Sequence, residues 1–357
     1  MINLKRNLVT ALGLALLDMV LIPIVLSAQV PITTGDMNAF HPRAIGPAVT
    51  GGRVHDVEAV PGNPSTMYVA TASGGLWRSV NRGQTWKNVF DTMAVSTFGD
   101  VALAPSNPEI IYAGTGEQQN RQSTSYGNGI YRSDDSGETW RHLGLEETRH
   151  IGRIVIHPVD PDIAYVGALG NLWSGSESRG VYKTTNGGLT WENVLFVNEY
   201  TGVVDMVMDP DNPNTLYAAM YQRLRRAWGF NGGGPGSGIY KTTDGGKTWR
   251  NTLFVSDSTG AMDVEIQPGN PSVVYAWMNR IERKPWTIIS GMEASGREDG
   301  IWRSRDGMGR SSAFTNVAPT IRTNTSPWRG SIWAGSKRRT DSLAAVVPTA
   351  AHSNQSR

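Results

Sequence analysis

The stretch Asp100-Val-Ala-Leu-Ala-Pro105-Ser-Asn107-Pro108, Ile110-Ile-Tyr112-Ala-Gly114, Gly129-Ile-Tyr131-Arg-Ser133 and Ser133-Asp-Asp135-Ser-Gly137-Glu-Thr139-Trp140 decides the fold. Val101 and Leu103 alternate along a first strand, Asn107-Pro108 turns the chain, and Tyr112 sits in a second strand. Gly129-Ile-Tyr131-Arg opens a third strand, and a tight turn ending in Trp140 leads into a fourth.

The same unit recurs along the chain. Its copies anchor on Pro61, Pro105, Pro158, Pro210 and Pro268, at spacings of 44, 53, 52 and 58 residues. The alternating pairs become Ile154 and Ile156, Met206 and Met208, Val264 and Ile266. The turns are Asn63-Pro64, Asp160-Pro161, Asn212-Pro213 and Asn270-Pro271, and the second-strand tyrosines are Tyr68, Tyr165, Tyr217 and Tyr275. Four short antiparallel strands per repeat of this length describe a propeller blade. The expected fold is therefore an all-β propeller with five four-stranded blades, fewer than a closed ring of this kind uses.

The turn before the fourth strand is the most specific motif. It runs Ser79-x-Asn81-x-Gly83-x-Thr85-Trp86, then repeats around Asp135, Gly137 and Trp140, around Asn186, Gly188 and Trp191, and around Asp244, Gly246 and Trp249. Asp or Asn accepts hydrogen bonds from turn amides, glycine supplies a positive φ, and tryptophan packs between strands. One carboxylate per turn cannot supply a calcium shell, so no metal and no cofactor are expected. A fifth copy begins Ser304-Arg305-Asp306-Gly307, and Met308 then stands where glycine belongs.

This turn resembles the Asp-box, or BNR repeat, of sialidases, xyloglucan-degrading glycoside hydrolases and sortilin receptors. Residues 40–306 look most similar to an exported bacterial branch with a sortilin-type propeller, often labelled glycosyl hydrolase-like. The resemblance includes Arg43-Ala-Ile-Gly46-Pro47, Gly51-Gly-Arg53-Val, Gly114-Thr-Gly-Glu117, His150-Ile-Gly-Arg153-Ile-Val-Ile-His157-Pro and Gly236-Ser-Gly238-Ile-Tyr240-Lys-Thr-Thr. It argues against the attached enzyme activities when carried over residue by residue. Phe40-His-Pro-Arg43 has an arginine but not the sialidase opening. The resemblance to the xyloglucan hydrolases puts their catalytic aspartate just before Gly74-Gly75, where this chain has Ala72-Ser73. Their second carboxylate belongs to a later propeller, and glycoside hydrolysis needs two. No catalytic residue is assigned.

Two sets of residues are candidates for ligand contact instead. Five residues before each anchor proline stand Asp56, Asp100, Arg153, Asp205 and Asp263. They form either a polar rim for a ligand or bonds to neighbouring blades. The second set lies where the connection between strands two and three varies in length, on the side opposite the boxes. It comprises Glu117, Arg121, Tyr126, Trp173, Arg223, Arg225, Arg226 and Trp228, and a fifth connection runs from Asn279 to Glu298. Variable loops on a rigid scaffold are where binding resides, and Arg and Trp are frequent anchors. The alternative is that these aromatics cover blade edges. The partner class is a peptide, protein or glycan.

Composition bounds the rest. Net charge is +2, which excludes a strong overall field toward nucleic acid. With no cysteine there is neither a disulfide nor a lipidated cysteine. Residues 1–28 read as a signal peptide or N-terminal anchor: Lys5 and Arg6, an apolar run from Leu8 to Val25 broken by Asp18, then Ser27 and Ala28. A secreted, periplasmic or cell-surface location follows, with membrane contact only through an uncleaved N-terminus. A lead segment covers 29–50 and the blades cover 51–308. Residues 309–357 carry seven Lys/Arg and one Asp, a net +6, leaving 2 − 6 = −4 for residues 1–308. That tail is either a disordered basic segment for an anionic partner or the product of a shifted reading frame. Three functions stand open: a non-enzymatic exported binding propeller, a glycoside hydrolase of unusual layout, and a fragment without independent function.

Overall fold

The computed structural model describes residues 52–280, 282–283, 299–308 and 315–319. The signal or anchor, the whole lead segment, most of the fifth variable connection and residues 309–314 and 320–357 lie outside them. No helix among the described residues is long and apolar enough to cross a membrane.

Five four-stranded antiparallel sheets follow one another as blades. Blade 1 is β1 (Val54–Val60), β2 (Asn63–Thr71), β3 (Leu76–Ser79) and β4 (Lys87–Asn88). Blade 2 is β5 (Phe98–Leu103), β6 (Ile111–Thr115), β7 (Ile130–Ser133) and β8 (Arg141–His142). Blade 3 is β9 (Ile151–Ile156), β10 (Ala164–Ala168), β11 (Gly180–Thr184) and β12 (Glu192–Leu195). Blade 4 is β13 (Thr201–Met208) and β14 (Leu216–Gln222), with β17 (Gly238–Thr242) and β18 (Arg250–Leu253) outside them. Blade 5 is β19 (Gly260–Ile266), β20 (Val274–Asn279), β22 (Gly300–Ser304) and β23 (Thr315–Pro319). First strands of successive blades lie side by side, β1 by β5, β5 by β9, β9 by β13 and β13 by β19.

Each joint between blades has its own apolar core. Tyr68, Ala70 and Leu76 of blade 1 meet Val101, Leu103, Ile111 and Ala113 of blade 2. The alternation in the sequence produces this directly, because every second residue of strands one and two faces the same neighbour. Burying side chains of this size stabilises by roughly 1.5–3 kcal/mol each. Glycine lets the blades close at two joints. A Cβ on Gly99 would stand 1.8 Å from the Ile151 carbonyl, and one on Gly152 would stand 2.3 Å from that of Val203.

The Asp-box turns close as their chemistry demands. In blade 2, Gly137 N–H donates to Ser133 Oγ at 2.8 Å and Thr139 N–H to Asp135 Oδ1 at 2.8 Å. The Thr139 hydroxyl donates to Asp135 Oδ2 at 2.6 Å. These bonds pull the Asp135 carboxyl down to about 2. Trp140 and Trp191 reach back to the preceding blade, donating from Nε1 to the carbonyls of Val89 and Leu143. The second-strand tyrosines reach forward: Tyr68 donates to the Ser136 carbonyl, Tyr165 to Gly245 and Tyr217 to Gly307. Arg78, Lys183 and Lys241 of the third strands donate to the same three carbonyls. Box and tyrosine are therefore two halves of one clasp between blades.

The fifth box folds despite its sequence. Met308 N–H donates to Ser304 Oγ at 3.0 Å, and Met308 takes the glycine conformation, φ 61°, with its side chain fully buried. Burial in the joint between blades 4 and 5 offsets the strain of the positive φ. β23 then completes the sheet, so blade 5 runs to Pro319, past the 308 boundary read from the box motif.

Candidate ligand-binding face

Strand register fixes what lies at each end of a blade. Val54 at the start of β1 pairs with Thr71 at the end of β2, so the connections between strands two and three leave on the side where strand one begins. The boxes lie at the other end, as Met67 pairing with Ser79 shows.

The five register-matched polar residues line the first strands, and most are tied to neighbouring blades. Asp56 Oδ2 accepts from Val101 N–H, Asp100 Oδ2 from Ile154 N–H and Asp205 Oδ2 from Val264 N–H, at 2.7–3.0 Å. Each bond joins one blade to the next. A bulge beside each residue turns its side chain toward that neighbour, for instance between Phe98 and Asp100. Arg153 lies 3.5 Å from Asp100 and 3.3 Å from Asp205. Burial opposes its charge, but Asp205 and Asp100 outweigh burial and raise its pKa. Asp263 lacks such relief. Burial and the facing Asp205 and Glu265 push it up to about 8, with Arg153 opposing.

At the loop end, the connections of blades 2, 3 and 4 meet. Residues 222–238 fold into a hairpin of β15 (Leu224–Arg226) and β16 (Gly229–Asn231), joined by β21 (Glu282–Arg283) in a small extra sheet. Arg223 and Arg225 are buried inside this junction. Arg223 donates to the carbonyls of Glu117 and Gln119, and Arg225 to that of Asn120. Arg225 N–H also donates to the Leu172 carbonyl, tying in blade 3. Glu117 is itself buried and paired with Arg53 of blade 1. Three of the eight loop candidates thus hold the loops to one another. The other five, Arg121, Tyr126, Trp173, Arg226 and Trp228, remain exposed, Trp228 at 60%. Trp228 sits at the hairpin tip, where Gln122 donates to the Ala227 carbonyl. The Tyr126 ring contacts the His150 ring, and the Arg149 guanidinium lies over it.

The junction includes residues that loop length did not reveal. Arg179 is fully buried and donates to the carbonyls of Leu169, Asn171, Ser174 and Arg223. Burial and Arg223 lower its pKa to about 9. Burial also drives His55 down to about 4, aided by Arg53, and drives His150 well below its ordinary value. The one available signal was position: Arg179 stands just before the glycine that opens a third strand, where blades 1 and 5 have Gly74 and Asp299. Among the described residues no group of His, Cys, Asp or Glu is placed to hold a metal ion. Ala72 is buried at the end of β2, its N–H bonded to the Arg53 carbonyl.

Comparison with known proteins gives a consistent picture. The sequence model Sortilin-Vps10, described as sortilin, neurotensin receptor 3, matches residues 128–261. A xyloglucanase of Hypocrea jecorina is 29% identical over 178 residues, covering 46% of this chain and 20% of that enzyme. The photosystem II assembly lipoprotein Ycf48 of Nostoc is 28% identical over 173 residues, 43% of this chain and 50% of that protein. The GH74 xyloglucanase structure from Xanthomonas campestris superposes with a TM-score of 0.54 at 16% identity, over 77% of this chain and 39% of that one. The chain spans 20–24% of the length of the xyloglucanases it matches.

Proposed function

From the membership of this chain in the Asp-box (BNR-repeat) β-propeller family, we propose that it is an exported, non-enzymatic binding module that takes a peptide or glycan on its loop end. The observation that carries this reading is the division of labour at that end. Arg223, Arg225, Arg179 and Glu117 lock three connections together, while Tyr126, Trp173, Trp228, Arg121 and Arg226 stay exposed on the locked frame. Aromatic faces and guanidinium groups held rigidly bind with little loss of entropy. The match to a photosystem II assembly lipoprotein supports a propeller that serves the assembly of other proteins. The test is to screen the chain on peptide and glycan arrays and to repeat each hit with Trp228→Ala, Arg226→Ala and Tyr126→Ala combined. Loss of at least tenfold in affinity supports the reading, and unchanged capture refutes it.

A glycoside hydrolase is the second reading, supported by the similarity to xyloglucanases. Ala72 at the place implied for the catalytic aspartate, and the inward-bound state of Asp100 and Asp205, speak against it. Release of reducing ends from xyloglucan, at a rate that survives Asp100→Asn with Asp205→Asn, would show a hydrolytic site elsewhere.

A further inference from the structure

The clasp in which a second-strand tyrosine and a third-strand cation share one box carbonyl recurs at three of the four joints. At the joint of blades 2 and 3, Tyr112 donates instead to the Pro161 carbonyl. The first and fifth described blades each display one unmatched half of the clasp. On blade 1 the positions that face a preceding blade are Val57, Ala59, Met67, Val69 and Trp77, all exposed or half-buried. Their register equivalents in blade 2 are Val101, Leu103, Ile111, Ala113 and Tyr131, all buried in the joint with blade 1. Val57 is 45% exposed where Val101 is 0%. Trp86, equivalent to Trp140 and Trp191, is likewise exposed, and Arg82 holds the positive φ that Ser136 holds in the next box.

Blade 5 shows the opposite half. Tyr68, Tyr112, Tyr165 and Tyr217 are buried at 0–2%, but their equivalent Tyr275 is half-buried. Arg303 pairs with Tyr275 in register as Arg78 does with Tyr68. Ile301 and Val317 stand at the positions of the buried Ile239 and Leu143, and both are 41% exposed.

We infer that these two faces join head to tail between two copies of this chain, the leading face of blade 1 in one seated on the trailing face of blade 5 in the other. The repeat rule names the contacts. Tyr275 hydroxyl and Arg303 guanidinium donate to the Arg82 carbonyl, as Tyr68 and Arg78 do to that of Ser136. Trp86 Nε1 donates to the Val317 carbonyl, as Trp191 does to that of Leu143. Val57 N–H donates to Asp263, as Val264 N–H does to Asp205. Val57, Met67 and Val69 cover Tyr275, Trp277 and Ile301. The donors named meet acceptors and the apolar side chains named meet apolar ones, a head-to-tail complementarity of the heterologous kind. Such a joint closes into a ring if the rotation allows and otherwise extends as a filament.

Sedimentation velocity on the full chain, from about 1 to about 100 μM, tests this. The wild type is expected at twice 38.8 kDa or a higher multiple. Val57→Glu and Ile301→Glu each place a charge in the joint and should weaken association at least tenfold. Both residues are exposed in the single chain, so thermal unfolding should show the fold intact. Tyr275→Phe, which removes only a hydroxyl, should weaken association several-fold. An equimolar mixture of Val57→Glu and Ile301→Glu should recover a one-to-one pair, since each supplies the face the other has lost. A wild type that stays at 38.8 kDa, variants that assemble like the wild type, or a mixture that stays monomeric would each overturn the inference.

Discussion

The two ends of the blades solve opposite problems with the same sheets. At the box end, each turn repeats and spends its polar groups on itself and its neighbours: Ser133, Asp135 and Thr139 bond one another, and the Ser136 carbonyl is taken by Tyr68 and Arg78. At the loop end no two connections match. Arg223 and Arg179 are sunk among carbonyls, while Trp228 and Trp173 point their rings to solvent. Repetition marks where the chain recognises itself, and its loss marks where the chain is free to recognise something else.

The contrast can be broken most sharply at a box. Ser133→Ala with Asp135→Ala removes the acceptors of Gly137 N–H, Thr139 N–H and the Thr139 hydroxyl, and should cost about 2–3 kcal/mol in urea unfolding. Ligand capture by the folded fraction should be unchanged. A cost below about 0.5 kcal/mol would mean the boxes are not what holds this end together.

A smaller effect is expected inside the first strands. Asp263 is pushed up to about 8 by burial, with Asp205 and Glu265 adding to the shift and Arg153 opposing it. Its folded pKa lies above the unfolded value near 4, so the neutral acid is the form the fold prefers. The stability tied to it is full below about pH 4 and is lost as pH rises toward 8. Asp263→Asn should flatten that decline and raise the stability at pH 8 by about 1 kcal/mol. Asp135 has the reverse sign: its pKa is lowered to about 2, so its contribution is full above about pH 4 and fades only below.

The smallest effect on folding belongs to the loop surface. Trp228→Ala, Arg226→Ala and Tyr126→Ala together should shift stability by no more than about 0.5 kcal/mol each, as exposed residues do. A large loss of stability would show that these side chains are scaffold rather than binding surface.

Legibility in the sequence follows the same division. The blades, strand order and box turns could be read because their bonds close within four residues, as from Asp135 to Thr139. The forward clasp could not, since Tyr165 finds the Gly245 carbonyl 80 residues away and nothing local announces it. Asp56, Asp100 and Asp205 stood at one register, but register alone left open whether they face a ligand or the next blade, and they bond the next blade's N–H groups. Within Arg223-Leu-Arg225-Arg226, the hairpin pleat sends Arg225 inward and Arg226 outward, a distinction that loop length does not carry. Met308 misled in the other direction. It breaks the box pattern, yet the turn closes because burial of its side chain accompanies the strained φ.

Amide hydrogen exchange of the chain with and without an array-identified peptide or glycan tests the central claim most directly. The account predicts new protection in residues 117–126, 171–179 and 222–231, with the box turns at 79–86, 133–140, 184–191 and 242–249 unchanged. Protection confined to the box turns, with the loop end unaltered, would contradict it.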